Sequence, residues 1–175
     1  MMWFYTGKGD EGEANLFDGR RLPKSAPVFE LIGALDEATA HLGLAISFSG
    51  HHQLKEDLIQ IQDDLSKFMG LIAGASPSAI GDRFIIDQKL EWIETRIRYY
   101  GESLDNPHSF VYAGKTQCGA AIDIARTVVR KAERIFTMLF GEDDSKSGNL
   151  PYLNRLSSFL FILRLFVDNQ SESTR

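Results

Sequence analysis

The sequence predicts an all-α protein, an up-and-down bundle of five helices preceded by a glycine-rich loop. Three observations lead there. Five stretches carry apolar residues at alternating steps of three and four, which places each set on one helix face. The breaks between them are short and carry turn chemistry, and short connections favour antiparallel neighbours. No run alternates apolar and polar residues at period two, so strands are few or absent.

The elements follow in order. Residues 1–25 hold Gly7, Gly9, Gly12 and Gly19, many charges and no sustained apolar period, and read as an ordered or semi-ordered loop. The first helical stretch has Val28, Leu31, Leu35, Ala38, Leu42 and Ala45 on one face, and the second Leu54, Leu58, Ile61, Leu65, Phe68 and Ile72. Ser76-Pro77-Ser78 and Gly81-Asp82 break the chain before the third, which has Ile86, Leu90, Ile93, Ile97 and Leu104. Asp105-Asn106-Pro107 ends that stretch. The fourth aligns Ala121, Ile124, Val128, Ala132, Ile135 and Leu139, and a polar loop over 141–148 precedes the fifth, with Leu153, Leu156, Leu160, Leu163 and Val167. The chain reads as one domain: the loop at 1–25, the bundle at 26–168 and a frayed tail at 169–175.

A chain of 175 residues is long enough to bury a real core. Its net charge of -5 argues against general nucleic-acid binding, because phosphate backbones select basic surfaces, yet leaves room for one local anion pocket. The single cysteine, Cys118, cannot make an internal disulfide or a cysteine-rich zinc site and points to a reducing compartment. The start lacks a basic segment followed by a long apolar one, as a secretory signal would have. The most apolar segment, 158–167, is short and interrupted by Arg164. The expectation is a soluble, cytoplasmic protein with no membrane or nucleic-acid partner.

Four constellations bear on chemistry. Gly7-Lys8-Gly9-Asp10-Glu11-Gly12 matches G-x-G-x-x-G, but no helix follows and the remainder is helical, so a dinucleotide fold is rejected. A loop exposing backbone N–H groups beside Thr6 and Lys8 still suits phosphates; a flexible tail is the rival reading. On the fourth stretch Arg126, Arg130 and Glu133 fall within roughly 60° of one another. There Arg126, Arg130, Lys131 and Arg134 stand against Glu133 alone, either as a solvated face or as a phosphate site, for which the arginine fork is suited. Glu37 and His41 share a face, but the paired Glu-x-x-His motifs of a di-iron bundle are missing. Asn154, opening the fifth helix, either caps and solvates it or bonds a ligand facing the fourth.

Four blocks, in order, resemble one family: the PduO-type ATP:cob(I)alamin adenosyltransferases, or corrinoid adenosyltransferases. They are Tyr5-Thr6-Gly7-Lys8-Gly9-Asp10-Glu11-Gly12, the segment 28–37 ending Gly33-Ala34-Leu35-Asp36-Glu37, Ala125-Arg126-Thr127-Val128-Val129-Arg130-Lys131-Ala132-Glu133-Arg134, and Tyr152-Leu153-Asn154-Arg155-Leu156-Ser157. The resemblance spans about 5–167. It implies a trimer of ferritin-like five-helix bundles with active sites between subunits, ATP and cobalamin as substrates, and magnesium. It further implies that Thr6, Gly7, Lys8, Gly9, Ala14, Asn15, Lys24, Arg130, Lys131, Glu133, Arg134 and Asn154 contact ATP. By the same resemblance Asp36 and Arg126 pair across the interface, and Phe110 displaces the lower axial ligand of cobalamin. Gly7-Lys8, Ala14-Asn15, Val111-Tyr112-Ala113-Gly114-Lys115 and Lys131 depart from the usual family residues.

The chemistry so implied explains the residue types. A cobalt(I) nucleophile attacks C5′ of ATP, and arginines, lysines and magnesium stabilise the charge growing on triphosphate. No protein nucleophile is needed, and the chain has no Ser/His or Cys/His constellation. An external cob(II)alamin reductase and an adenosylcobalamin-dependent acceptor enzyme are the further partners implied. Two rivals stand beside this transferase: a module that binds ATP or cobalamin without turnover, and a purely structural bundle.

Overall fold

The computed structural model describes residues 7–75, 86–105, 107–141 and 148–170, with the side chains of 86 and 87 outside that description. Of the sequence expectations, Thr6, the breaks at 76–82, most of the loop at 141–148 and residues 171–175 lie outside the described residues. Within them the order is β1 (Glu13–Asn15), β2 (Arg21–Pro23), α1 (Pro27–Phe48), α2 (His52–Ile72), α3 (Ile86–Gly101), α4 (Gln117–Phe140) and α5 (Asn149–Gln170).

The all-α expectation holds, with one addition at the N-terminal side. The segment expected to be a loop folds as a two-stranded antiparallel hairpin, pairing Glu13 with Pro23, Ala14 with Leu22 and Asn15 with Arg21. Strands of three residues are too short to show a period of two, so the sequence pattern could not report them. The third apolar series ran too far: α3 ends at Gly101, and Leu104 sits in the turn beyond it. α5 runs through Gln170, past the expected boundary at 168.

Local chemistry sets the helix starts. Pro27 opens α1, where its missing N–H is no loss. The His51 side chain accepts from the Leu54 N–H to cap α2, and Thr116 accepts from the Gly119 N–H to cap α4. Leu31, Leu35 and Leu42 of α1, Leu58, Ile61 and Leu65 of α2, Ile122 and Val129 of α4, and Leu156, Leu160 and Leu163 of α5 are wholly buried in one core.

Cross-helix contacts fix the directions. Lys131 reaches Glu37, and the Cys118 thiol donates to the Ala45 carbonyl at 3.4 Å, so α1 and α4 are antiparallel. Thr116 meets Asp168 and Glu133 meets Asn154, so α4 and α5 are antiparallel. By contrast, Glu94 bonds Arg155 and Tyr100 packs on Phe166, so α3 and α5 are parallel neighbours. The odd helix count requires this: α1, α3 and α5 all point the same way. One end of the bundle, called the lower end below, carries the start of α1, the hairpin and the start of α5. The upper end carries the loop between α3 and α4.

α1 and α5 are both long and apolar enough to cross a membrane by length and composition, with mean hydropathy 1.2 and 1.3. That corrects the expectation that no stretch approaches such a span. Both helices bury most of their leucines in the bundle, Leu44 being the exposed one, and α5 is apolar nearly all round because it touches α3 and α4 at once.

The α2–α3 seam is polar. Asp57 of α2 accepts from Arg96 and from the Tyr100 hydroxyl at 2.6 Å. One to two turns along, the fully buried Asp64 meets Lys89 at 2.7 Å and Gln60 at 2.9 Å. Burial pushes the Asp64 carboxyl above its usual range, against the opposing pull of Lys89.

Candidate active site

The outward face of α4 and the groove between α4 and α5 bring most of the expected residues together. Arg126 and Arg130 lie one turn apart, and Glu133 follows on the α5 side. The Glu133 carboxylate accepts from the Asn154 amide at 2.9 Å. The other end of that amide accepts from Arg155 at 3.3 Å, and Arg155 in turn donates to Glu94 of α3 at 3.2 Å. This chain of bonds fixes which way the Asn154 amide faces. Arg134 folds back to donate to the Arg130 carbonyl. The Arg130 guanidinium is exposed and has no carboxylate partner among the described residues.

Further up the groove the character changes. Arg126 is half-buried, pairs in its own chain with Asp123 at 2.8 Å, and lies 5.9 Å from the centre of the Phe161 ring. It lines a cavity of about 400 Å³ together with Phe110, Val111, Phe161 and Arg164. Phe110 is 81% exposed and sits edge-on to Tyr112, ring centres 5.1 Å apart. A polar, cationic lower part and an apolar upper part thus share one groove.

The hairpin gathers a second set. Gly7 and Gly12 adopt φ of +68° and +82°, which only glycine takes without strain, and they shape the turns on either side of Gly9. A Cβ at Gly9 would lie 3.1 Å from the Lys24 ammonium, so the lysine stands directly over the loop backbone. The Lys24 N–H donates to the Gly12 carbonyl and Arg21 donates to the Lys8 carbonyl. Ala14 and Asn15 form β1 next to this cradle. The hairpin docks below through buried Leu16 and through the Phe17 N–H on the Ala73 carbonyl at 2.7 Å. Among the described residues it makes no extensive contact with α4 or α5 of its own chain.

Two expected residues stand apart from the groove. Lys131 is turned about 100° from Arg130 and faces α1, where Glu37 at 3.2 Å and Glu30 at 3.8 Å take its charge. Glu37 is therefore occupied by Lys131, where the sequence had suggested His41. Asp36 is exposed on α1, and within one chain Arg126 bonds Asp123 in its place. Sequence reasoning gave no partner to Asp123 or Arg155 and missed Glu94 and Phe161, all of which shape the groove. The run Asn154-Arg155 was visible, but nothing local to it identifies Glu94 as the partner.

Among the described residues no three His, Cys, Asp or Glu side chains gather as a metal site. A magnesium ion brought with a nucleotide would take most ligands from phosphate oxygens, and Glu133 is the carboxylate at hand among the cations of the groove.

The architecture defines the class first: an all-α bundle with an anion-accepting groove between its last two helices. A sequence model of cobalamin adenosyltransferase matches residues 4–167, and the chain belongs to that family. It is 31% identical over 174 residues to the corrinoid adenosyltransferase of Bacillus subtilis, covering 97% of this chain and 89% of that protein. It is 31% identical to corrinoid adenosyltransferase PduO of Salmonella typhimurium over 97% of this chain, and spans about half (51%) of that longer relative. Among solved structures, a variant PduO-type ATP:corrinoid adenosyltransferase from Lactobacillus reuteri complexed with cobalamin and ATP superposes with a TM-score of 0.84 at 26% identity, covering 97% of this chain and 93% of that one. A second variant of that enzyme, complexed with ATP, gives 0.83 at 27% identity, covering 97% and 96%.

Proposed function

We propose that the α4–α5 groove is where this chain moves the 5′-deoxyadenosyl group of ATP onto cob(I)alamin. The chain is an ATP:corrinoid adenosyltransferase, and ATP and cobalamin are its substrates. In the reaction the cobalt(I) electron pair forms a Co–C bond to C5′, the C5′–O bond breaks, and triphosphate leaves with the bonding electrons. The observation that carries the assignment is the exposed Arg130, with no carboxylate partner among the described residues, beside the Glu133–Asn154 pair. Donors already in place where charge develops stabilise the transition state more than the ground state.

The roles divide along the groove. Arg130 and Arg134 meet the polyphosphate, while the fixed Asn154 amide and Glu133 orient the nucleotide. Gly7, Lys8, Gly9 and Lys24 wrap the phosphates, with Ala14 and Asn15 alongside, while Lys131 stays paired to α1. Phe110, at the upper cavity, keeps the lower face of the corrin dry and excludes its axial ligand. The protein orients and desolvates; the reacting bonds belong to the substrates.

The site is completed by a second subunit of a homotrimer. Two features support this: among the described residues the hairpin cradle does not pack on the groove of its own chain, and Asp36 presents an unburied carboxylate on α1. In the assembly Arg126 exchanges Asp123 for a partner's Asp36. A reducing, cytoplasmic setting fits the buried Cys118, whose thiol burial pushes up to about 11. A cob(II)alamin reductase supplies the nucleophile, and an adenosylcobalamin-dependent enzyme accepts the product.

The test is an anaerobic assay with ATP, magnesium and chemically reduced cobalamin. Adenosylcobalamin and triphosphate are expected in equal amounts. ATP binding with no product would overturn the catalytic reading in favour of a binding module.

A further inference from the structure

We infer that Arg164, Asp168 and Thr116 form a buried clamp that holds the Phe110–Tyr112 aromatic pair in place, making Arg164 and Asp168 positioning residues for the corrinoid half of the reaction. The inference rests on the reading of Phe110 given above. Arg164 is 1% exposed, within an otherwise apolar stretch of α5. Burying a guanidinium costs several kcal/mol unless it is paired and fully hydrogen-bonded, and an apolar pair of equal volume would serve the core as well. Its presence there therefore calls for a role beyond packing.

The bonds indicate that role. Arg164 Nε donates to Asp168 Oδ2 at 3.0 Å, one turn further along α5. Its two Nη groups leave the helix and donate to consecutive loop carbonyls, those of Val111 at 3.4 Å and Tyr112. The second Asp168 oxygen accepts from the Thr116 hydroxyl at 2.9 Å. One buried ion pair thus grips the loop at 111–112 and again at 116. Gly119 makes room for it, because a Cβ there would collide with the Asp168 carboxylate and stand 2.7 Å from Thr116 Oγ1. Capping α4 alone does not need this arrangement, since Thr116 already accepts from the Gly119 N–H.

What the clamp fixes is the backbone between two exposed rings. Phe110 and Tyr112 are each 81% exposed and meet edge-on at 5.1 Å. Neither ring is anchored by burial, so the pinned carbonyls at 111 and 112 set where they stand. Phe110, Val111 and Arg164 all line the same upper cavity, which ties the clamp to the place where a corrin face would lie.

The experiment loads the full chain with ATP and cob(II)alamin and reads the four-coordinate cob(II)alamin spectrum, with the apparent KM for ATP and the melting temperature measured alongside. Phe110→Ala is the reference and is expected to abolish the signal. Asp168→Asn and Arg164→Lys are expected to lower the four-coordinate fraction about tenfold, in line with the sensitivity of such geometry to shifts of about 1 Å, while KM for ATP stays near wild type. Thr116→Val leaves the Arg164–Asp168 pair intact and covers the case in which the pair variants do not fold; a partial loss of signal is expected. Loss in Phe110→Ala with full signal in the folded clamp variants, or in Thr116→Val should those not fold, would overturn the clamp alone. Full signal in Phe110→Ala would overturn the reading of Phe110 and the clamp with it.

Discussion

The α2–α3 seam and the α4–α5 groove are both rich in charge, yet they use it in opposite ways. In the seam each cation has a carboxylate on the neighbouring helix and both are shielded: Arg96 with Asp57, Lys89 with Asp64. In the groove Arg130 is exposed and has no such partner among the described residues. Charge that is internally satisfied orders helices; charge left open is available to a ligand. The contrast separates residues that hold the bundle together from residues open to a ligand, and neither burial nor charge alone would do so.

Three measurements would break or sharpen that contrast. The largest effect is expected in the seam. Asp57→Ala strands Arg96 and the Tyr100 hydroxyl, and should cost about 3 kcal/mol of unfolding free energy or more, read by denaturant melts. Removal of Asp57 with no change in stability would show that the seam is not structural. Next, Arg130→Ala should lower kcat by a factor of about 100, some 2.7 kcal/mol, with the melting temperature nearly unchanged. Near-normal turnover would remove Arg130 from the site. The smallest effect is that of Lys131→Ala. Its exposed pairs with Glu30 and Glu37 should contribute less than about 1 kcal/mol to stability. A several-fold rise in KM for ATP would show that Lys131 swings from α1 to the nucleotide; an unchanged KM would leave it a link between α1 and α4.

How far the sequence revealed these features follows from the range of the forces involved. The five helices were legible because the spacing of residues such as Leu31, Leu35 and Leu42 is a local signal read at a fixed period. The arginine stripe was legible for the same reason, as a face of one helix. The seam was not: Asp57 and Asp64 look like solvated acids until α3 is placed against α2, and their burial is a property of the pair. The clamp left one visible trace, Arg164 and Asp168 four residues apart inside the most apolar helix, but its targets are some fifty residues away in sequence. The resemblance to known adenosyltransferases gave the order of the site residues. It also implied sites between subunits, and the separation of the hairpin from the groove within one chain accords with that.

The odd number of helices has a practical consequence for handling the protein. Because α1 and α5 point the same way, Gly7 lies at the lower end beside the hairpin, and Gln170 lies at the upper end, lining a cavity with Phe48 and Thr116. An affinity tag or surface tether joined ahead of the hairpin would crowd the loop proposed above to wrap the phosphates. The same tether joined beyond α5 would immobilise the molecule from the opposite pole, with its nucleotide entrance facing open solution.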